Sequence, residues 1–274
     1  MNPFVIEGPA IISFSGGRTS AYMLRRILDA HGGTLPADVV VCFANTGKER
    51  EETLAFVHEC ATRWKVPVVW LEYAIVEEKI GYRRVDFFSA SRNGEPFDAL
   101  IHRRQFLPNP VMRFCTGELK IRTTKRFAVK ELRWSHWTSA LGLRADEPRR
   151  VARATTKRRE RWDNVCPLAS AGIDKPMINA YWAASDFDLG LRDGEGNCDL
   201  CFLKGAPKIA RIMDEHPELS SWWIEKESIV LSRGTGKGGV FRKDRPRYAK
   251  LQREARSICS LPLLDEIQDC ACSE

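Results

Sequence analysis

Residues 10–24, Ala-Ile-Ile-Ser-Phe-Ser-Gly-Gly-Arg-Thr-Ser-Ala-Tyr-Met-Leu, constrain this chain more than any other stretch. They read as a short apolar strand, a two-glycine turn and the first turns of a helix. Gly16 and Gly17 accept backbone angles and close approaches that side chains forbid. Ser15, Thr19 and Ser20 put hydroxyls beside the free N–H groups of the helix start, a geometry that suits phosphate or another anion. The spacing is neither that of a Walker loop nor that of a dinucleotide fingerprint. An ordinary strand–turn–helix junction is the alternative.

The remainder of the first half repeats the alternation. A strand is expected over 38–43, a helix over 49–64 and a third strand over 66–71. Residues 73–112 read as a long, partly structured excursion with one helix near 97–105. A basic helix over 117–132 and a fourth strand over 135–141 follow. Strands alternating with helices through short connections predict an α/β fold, a parallel sheet with helices on both faces. Its ligand crevice belongs at the C-terminal ends of the strands. Residues 1–170 are expected to form this nucleotide-binding unit, and 171–274 a mostly helical, cysteine-containing region packed on the same core.

With 274 residues, 43% hydrophobic and 29% charged, the chain has the composition of an ordinary globular protein. No apolar run approaches the roughly 18 residues of a membrane span, and residues 1–9 do not read as a signal peptide. A cytoplasmic protein without a membrane partner is expected. The net charge of +7 favours anionic partners, nucleotides and nucleic acids alike. Much of it lies at Arg144 and between Arg149 and Arg161, and no helix-turn-helix, zinc finger or RNA-reading aromatic motif accompanies it. Nine cysteines in a reducing compartment favour ligands or reactive thiols over disulfides.

Ser15-Gly16-Gly17-Arg18-Thr19-Ser20 resembles the PP-loop of the adenine-nucleotide alpha-hydrolase-like superfamily, whose fold is Rossmann-like, of the HUP type. That group includes ATP pyrophosphatases, tRNA-thiolating enzymes and the phosphoadenosine phosphosulfate (PAPS) and adenosine phosphosulfate (APS) reductases. The resemblance implies that Ser13, Ser15, Gly16, Gly17, Arg18, Thr19 and Ser20 meet a nucleotide. Thr19 stands where many ATP-cleaving members carry Asp, which counts against Mg2+-assisted pyrophosphate cleavage. Asn45-Thr46-Gly47 resembles the second-strand loop that lies near the nucleotide in the reductases. Gly142-Leu143-Arg144-Ala145-Asp146-Glu147-Pro148-Arg149-Arg150 resembles their G-x-R-x-x-E-x-x-R segment. Arg144 with Arg149, or with Arg150 in its place, has the fork chemistry to hold phosphate or sulfate.

Cys198-x-x-Cys201 is a compact half of a metal site, since two thiolates on one turn can converge on one centre. Cluster-bearing APS reductases have a Cys-Cys pair, a long interval and then Cys-x-x-Cys. Cys115 resembles the first of these, with Thr116 at the second position, and Cys166 before Pro167-Leu168 is the choice for a fourth ligand. The resemblance implies a [4Fe-4S] cluster; Zn2+ fits the same ligands, and a redox pair or merely packed thiols are the other readings. Cys42, Cys60 and Cys259 read as small core residues. Sulfonucleotide reductases also use a mobile C-terminal cysteine, a role open to Cys272 or Cys270. The expected activity is reductase-like, releasing sulfite from an adenosine sulfonucleotide with a thiol reductant. The alternatives are an ATP-using sulfurtransferase or nucleic-acid-modifying enzyme, and a non-enzymatic nucleotide- or nucleic-acid-binding module with structural zinc.

Overall fold

The computed structural model describes residues 2–156, 159–196, 198–232 and 239–259; the expected tail thiols Cys270 and Cys272 lie outside the described residues. Six strands form one sheet: β1 (Ala10–Ser13), β2 (Val39–Asn45), β3 (Val68–Val76), β4 (Lys79–Val85), β5 (Trp137–Ala140) and β6 (Trp162–Val165). Their order is β4-β3-β2-β1-β5-β6. β1 runs parallel to both neighbours, with Ile11 opposite Val40 on one side and Ser139 on the other. β2–β3 and β5–β6 are also parallel, and β4 alone runs antiparallel. The chain builds outward from β1 to β3, then returns to the far side of β1. The switch point is therefore the β1–β5 boundary, where an open α/β sheet forms its crevice.

The helices are α1 (Arg18–Ala30), α2 (Glu51–Arg63), α3 (Glu95–Arg104), α4 (Thr123–Lys130) and α5 (Pro148–Thr155), then α6 (Pro167–Ser170), α7 (Lys175–Ala183), α8 (Ala206–Glu215), α9 (Ser220–Ser232) and α10 (Tyr248–Cys259). A π-helical stretch, Cys115–Arg122, leads into α4. Among the described residues no helix is long and apolar enough to cross a membrane.

Alternation along the strands gives the sheet two apolar faces. Ile12, Val41 and Phe43 pack with Leu24 and Ile27 of α1, Phe56 and Val57 of α2 and Trp182 of α7. Ile11, Cys42, Leu71 and Trp137 pack on the other face with Phe127 and Ala128 of α4. The architecture is thus a Rossmann-like α/β sheet flanked by helices on both sides, with a helical C-terminal region. Ile173, Ile178, Leu189 and Leu191 belong to the first of these cores. A further core joins Phe97 and Leu100 of α3 to Ile209 and Met213 of α8, Trp222 and Trp223 of α9 and Tyr248 and Leu251 of α10.

Two strands depart from the sequence reading. The β3–β4 hairpin turns through Glu77 and Glu78, with φ of 48° and 62°. Two-residue hairpin turns of this hand favour Asn-Gly, so a Glu-Glu pair gives no turn signal. β6 is four residues long and follows a charge run that reads as solvated loop.

The helical region is tied to the end of β2 by a buried polar joint. Lys48 Nζ lies 2.9 Å from Asp199 Oδ2, with the two side chains 7% and 3% exposed. Asp199 N donates to Lys48 O at 2.7 Å, and Trp223 Nε1 donates to Asp199 Oδ1 at 2.8 Å. An isolated antiparallel bridge pairs Glu49 with Cys198.

Candidate functional site

At the switch point lies a cavity of about 610 Å³, within the size range of nucleotide-sized ligand sites. Ser13, Ser15, Gly17, Arg18, Thr19 and Ser20 form its wall at β1 and the start of α1, and Ser139, Leu141, Gly142 and Arg144 its wall at β5. The start of α1 is built as an anion cradle. Gly17 is its N-cap, no side chain caps it, and its first turn holds no acidic residue. Unsatisfied N–H groups and the positive end of the helix dipole therefore face the cavity.

Each glycine of the motif has a different task. Gly16 has φ +81°, and a Cβ there would lie 2.6 Å from Thr53 Cγ2, so it sits behind the loop rather than in the cavity wall. Gly17 has nothing within 4 Å of the position of a Cβ. That open space is available to a ligand. Gly142, two residues past β5, packs directly on Ser20, since a Cβ there would lie 3.1 Å from Ser20 Cα.

The hydroxyls are braces as well as wall. Ser20 Oγ donates to Gly17 O at 3.0 Å and accepts from Ser15 N at 3.1 Å. Its one proton being spent, the 3.0 Å contact between the Ser15 and Ser20 hydroxyls has Ser15 as donor. Arg18 points toward the segment after α7, donating from Nε to Asp188 Oδ1 at 2.6 Å, with Asp193 3.9 Å away. The Arg18 hydrogen bond holds the Asp188 carboxyl below the usual range against its partial burial.

Arg144 lines the cavity, with its fork closed on Asp146 at 2.9 and 3.1 Å and its N–H donated to Glu147. Burial pushes the Asp146 carboxyl up, but the Arg144 hydrogen bond and charge outweigh it, leaving it below the usual range. Of the adjacent arginines, Arg150 lines the cavity and pairs with Glu147, whereas Arg149 is exposed on the turned-away side of α5. One residue along a helix is a rotation of about 100°. The sequence holds that signal: G-x-R-x-x-E-x-x-R counted from Gly142 ends on Arg150.

The remaining cations come from elements outside the glycine loop and the Arg144 segment. Lys120 and Arg122 project from the π-helical stretch, Lys125 from α4, Lys175 from α7 and Arg192 from the segment beyond it. With Arg18, Arg144 and Arg150 they make, among the described residues, eight basic side chains against four acidic ones, Glu147, Glu160, Asp163 and Asp193. Trp137 and Trp162, stacked at 5.4 Å, add an aromatic wall.

Asn45, Thr46 and Gly47 are buried outside the cavity wall, which β2 reaches through Cys42 and Ala44. Asn45 Nδ2 donates to Glu72 Oε1 and Ser91 O, and its Oδ1 accepts from Gly47 N. Thr46 donates to Glu49. These polar groups are consumed in shaping the loop.

Three of the four candidate metal ligands share one core, and the fourth lies in another. Cys198 and Cys201 belong to the α8–α10 core and Cys115 packs against it, while Cys166 packs with Leu143 and Ala154. Burial pushes the Cys115 thiol up, and burial with the Glu147 charge pushes Cys166 up to about 11. Among the described residues no group of three or more His, Cys, Asp or Glu side chains converges to hold a metal ion. The described residues alone therefore do not assemble the four sulfurs that a cluster or zinc site needs on one centre, and Cys270 and Cys272 lie outside them.

No family profile matches the chain. A crystal structure of phosphoadenylyl-sulfate (PAPS) reductase from Candida auris, in a phosphate complex, is similar over 67% of this chain and 79% of that one, at 18% identity and a TM-score of 0.42. The "uncharacterized nin region protein ORF290" of Escherichia phage lambda is 30% identical over 205 residues, covering 73% of this chain and 67% of the phage protein. That identity and coverage make the chain a member of the family of the phage lambda nin region protein ORF290.

Proposed function

We propose that the cavity binds an adenosine nucleotide ending in phosphate or sulfate, and that the chain is a sulfonucleotide reductase-like enzyme. The observation that carries this reading is the uncapped, acid-free start of α1, which opens on a switch-point cavity with twice as many basic as acidic side chains. The α1 N–H groups would take the phosphate, and Arg150 and Lys120 would neutralise the oxygens of the anionic end.

In the reaction a cysteine thiolate attacks the sulfate sulfur. A sulfur–sulfur bond forms as the sulfur–oxygen bond to the phosphate breaks, and the nucleotide leaves with the electron pair on its phosphate oxygen. The α1 start and Arg150 stabilise that charge as it develops. A thiol reductant then attacks the sulfonated cysteine, giving a disulfide and free sulfite. Cys272 or Cys270 is the proposed nucleophile, in a reducing, cytoplasmic setting.

An ATP-using sulfurtransferase acting on nucleic acid is the second reading. It is favoured by the exposed Arg149, Arg153 and Arg161 beside the cavity. Isothermal titration with APS, PAPS and Mg-ATP, joined to assays of sulfite release and ATP–pyrophosphate exchange, separates the two. Gly17→Val should weaken nucleotide binding by roughly tenfold or more while costing under about 1 kcal/mol of stability, because its β-branched side chain fills open space at an extended backbone. Arg150→Gln should weaken the sulfonucleotide by about 10- to 100-fold, the worth of a charged hydrogen bond. Unchanged affinity in Gly17→Val would remove the α1 start as the anion site. Exchange without sulfite release would favour the sulfurtransferase.

A further inference from the structure

We infer that the base of the nucleotide lies on the open face of the sheet, where Trp162, Ser139 and Asn164 select a purine that carries an exocyclic amino group. This deepens the nucleotide reading of the cavity and rests on it. The starting point is strand alternation, which puts residues two apart on one face. Trp137, Ser139 and Leu141 therefore share a face, and the parallel register sets Trp162 beside Trp137 and Asn164 beside Ser139. On β1, Ile11 stands opposite Ser139, and Ser13 follows Ile11 on the same face.

Where α4 covers it, that face is apolar: Ile11, Cys42, Leu71 and Trp137 pack on Phe127 and Ala128. Between α4 and α5 the same face becomes the cavity floor, and there Ser13, Ser139 and Asn164 replace the apolar side chains that would continue the core. Hydroxyls and an amide in the middle of a sheet face suit a polar ligand lying on them. The floor runs from Leu141, at the same end of the sheet as the start of α1, to Trp137. At the usual rise of a strand that is about 13 Å, the reach of a nucleoside with its 5′ phosphate. With the phosphate at α1, the base falls at the tryptophan end.

The groups at that end are set by the protein. Asn164 Nδ2 donates to Ala154 O of α5 at 2.8 Å, which turns Oδ1 to the opposite side of the amide. An acceptor held there favours a base with an amino group, and the Ser139 hydroxyl can donate to the ring nitrogen beside it. Trp137 and Trp162 stack within 21° of parallel, and Trp162 is partly exposed, giving a flat wall for a ring. Lys125 closes this end, 5.3 Å from the Trp162 ring centre and 2.7 Å from the Glu160 carboxylate. The loop at Asn45–Gly47 does not compete for the base, since Glu72, Ser91 and Glu49 hold its polar groups.

The test is calorimetric titration of the full chain with 5′-AMP, IMP and ribose 5-phosphate, the last a probe without a base. The parent should bind 5′-AMP at least about tenfold more tightly than IMP, whose oxo group meets the Asn164 oxygen as a second acceptor. Trp162→Ala should weaken 5′-AMP by roughly tenfold or more, the worth of stacking one base, and leave ribose 5-phosphate unchanged. Trp162→Phe, which keeps a ring, should recover most of that loss. Asn164→Leu should bring 5′-AMP and IMP to within about threefold of each other, and the milder Ser139→Ala should weaken 5′-AMP by about threefold. Unchanged ribose 5-phosphate affinity certifies that each variant is folded. The proposal is overturned if the parent binds 5′-AMP no better than IMP or ribose 5-phosphate, or if Trp162→Ala and Ser139→Ala both bind 5′-AMP as the parent does. Failure of all three compounds to bind the parent brings down the nucleotide reading itself, and the base site with it.

Discussion

Replacing Asp199 by alanine should lower the stability of the chain by about 3–5 kcal/mol, the usual cost of stranding one partner of a buried ion pair. Lys48 would keep its ammonium buried beside Trp222, whose ring lies 5.3 Å from Nζ, with its carboxylate gone. The Trp223 indole N–H would lose its acceptor in the same step. Urea unfolding measures the loss directly. The double replacement Lys48→Met with Asp199→Leu should recover most of it, because apolar groups of similar volume remove both charges at once. A single-variant loss below about 1 kcal/mol would show that the joint is not where the helical region is held.

Gly16→Ala should cost roughly 2–5 kcal/mol and abolish nucleotide binding. Part of that is the positive φ of 81°, which a Cβ disfavours by about 1–2 kcal/mol. The rest is overpacking, at about 1–3 kcal/mol, because the new methyl meets Thr53 Cγ2 at 2.6 Å and Phe43 and Val57 at 3.2 Å. Thr53→Ser removes the first of these contacts and should restore the packing share while leaving the backbone share. Thermal melting of the single and paired variants separates the two terms. Full stability in Gly16→Ala would mean that the loop does not need its left-handed residue. Adjacent glycines thus predict opposite outcomes: one substitution breaks the loop, and the other leaves the loop and blocks its ligand.

The sequence announces whatever depends on local pattern. Apolar runs at 38–43 and 66–71 locate β2 and β3 because buried parallel strands are apolar on both faces. The Gly16–Gly17 turn is legible because few other residues accept its angles. Legibility fails where tertiary contacts decide. The Glu77-Glu78 turn is dictated by the pairing of β3 with β4 rather than by turn residues. Arg150, not Arg149, faces the cavity because Pro148 starts α5 and sets its phase. Asn45, Thr46 and Gly47 sit at a strand end as expected, but Glu72, Ser91 and Glu49 claim their polar groups. Lys125 enters the site from α4, beside Lys120 of the π-helical stretch, and no motif marks it.

The two outer strands also govern how copies of this protein meet. β4 bears exposed Lys79, Arg83 and Arg84, with Arg83 bound back to Glu72 and Arg84 to Glu131. β6 offers only four residues, flanked by exposed Arg161 and carrying exposed Asp163. Charged or very short borders are poor templates for an incoming strand. Strand addition at either border of the sheet is therefore disfavoured, so crowded copies resist fibre-like stacking.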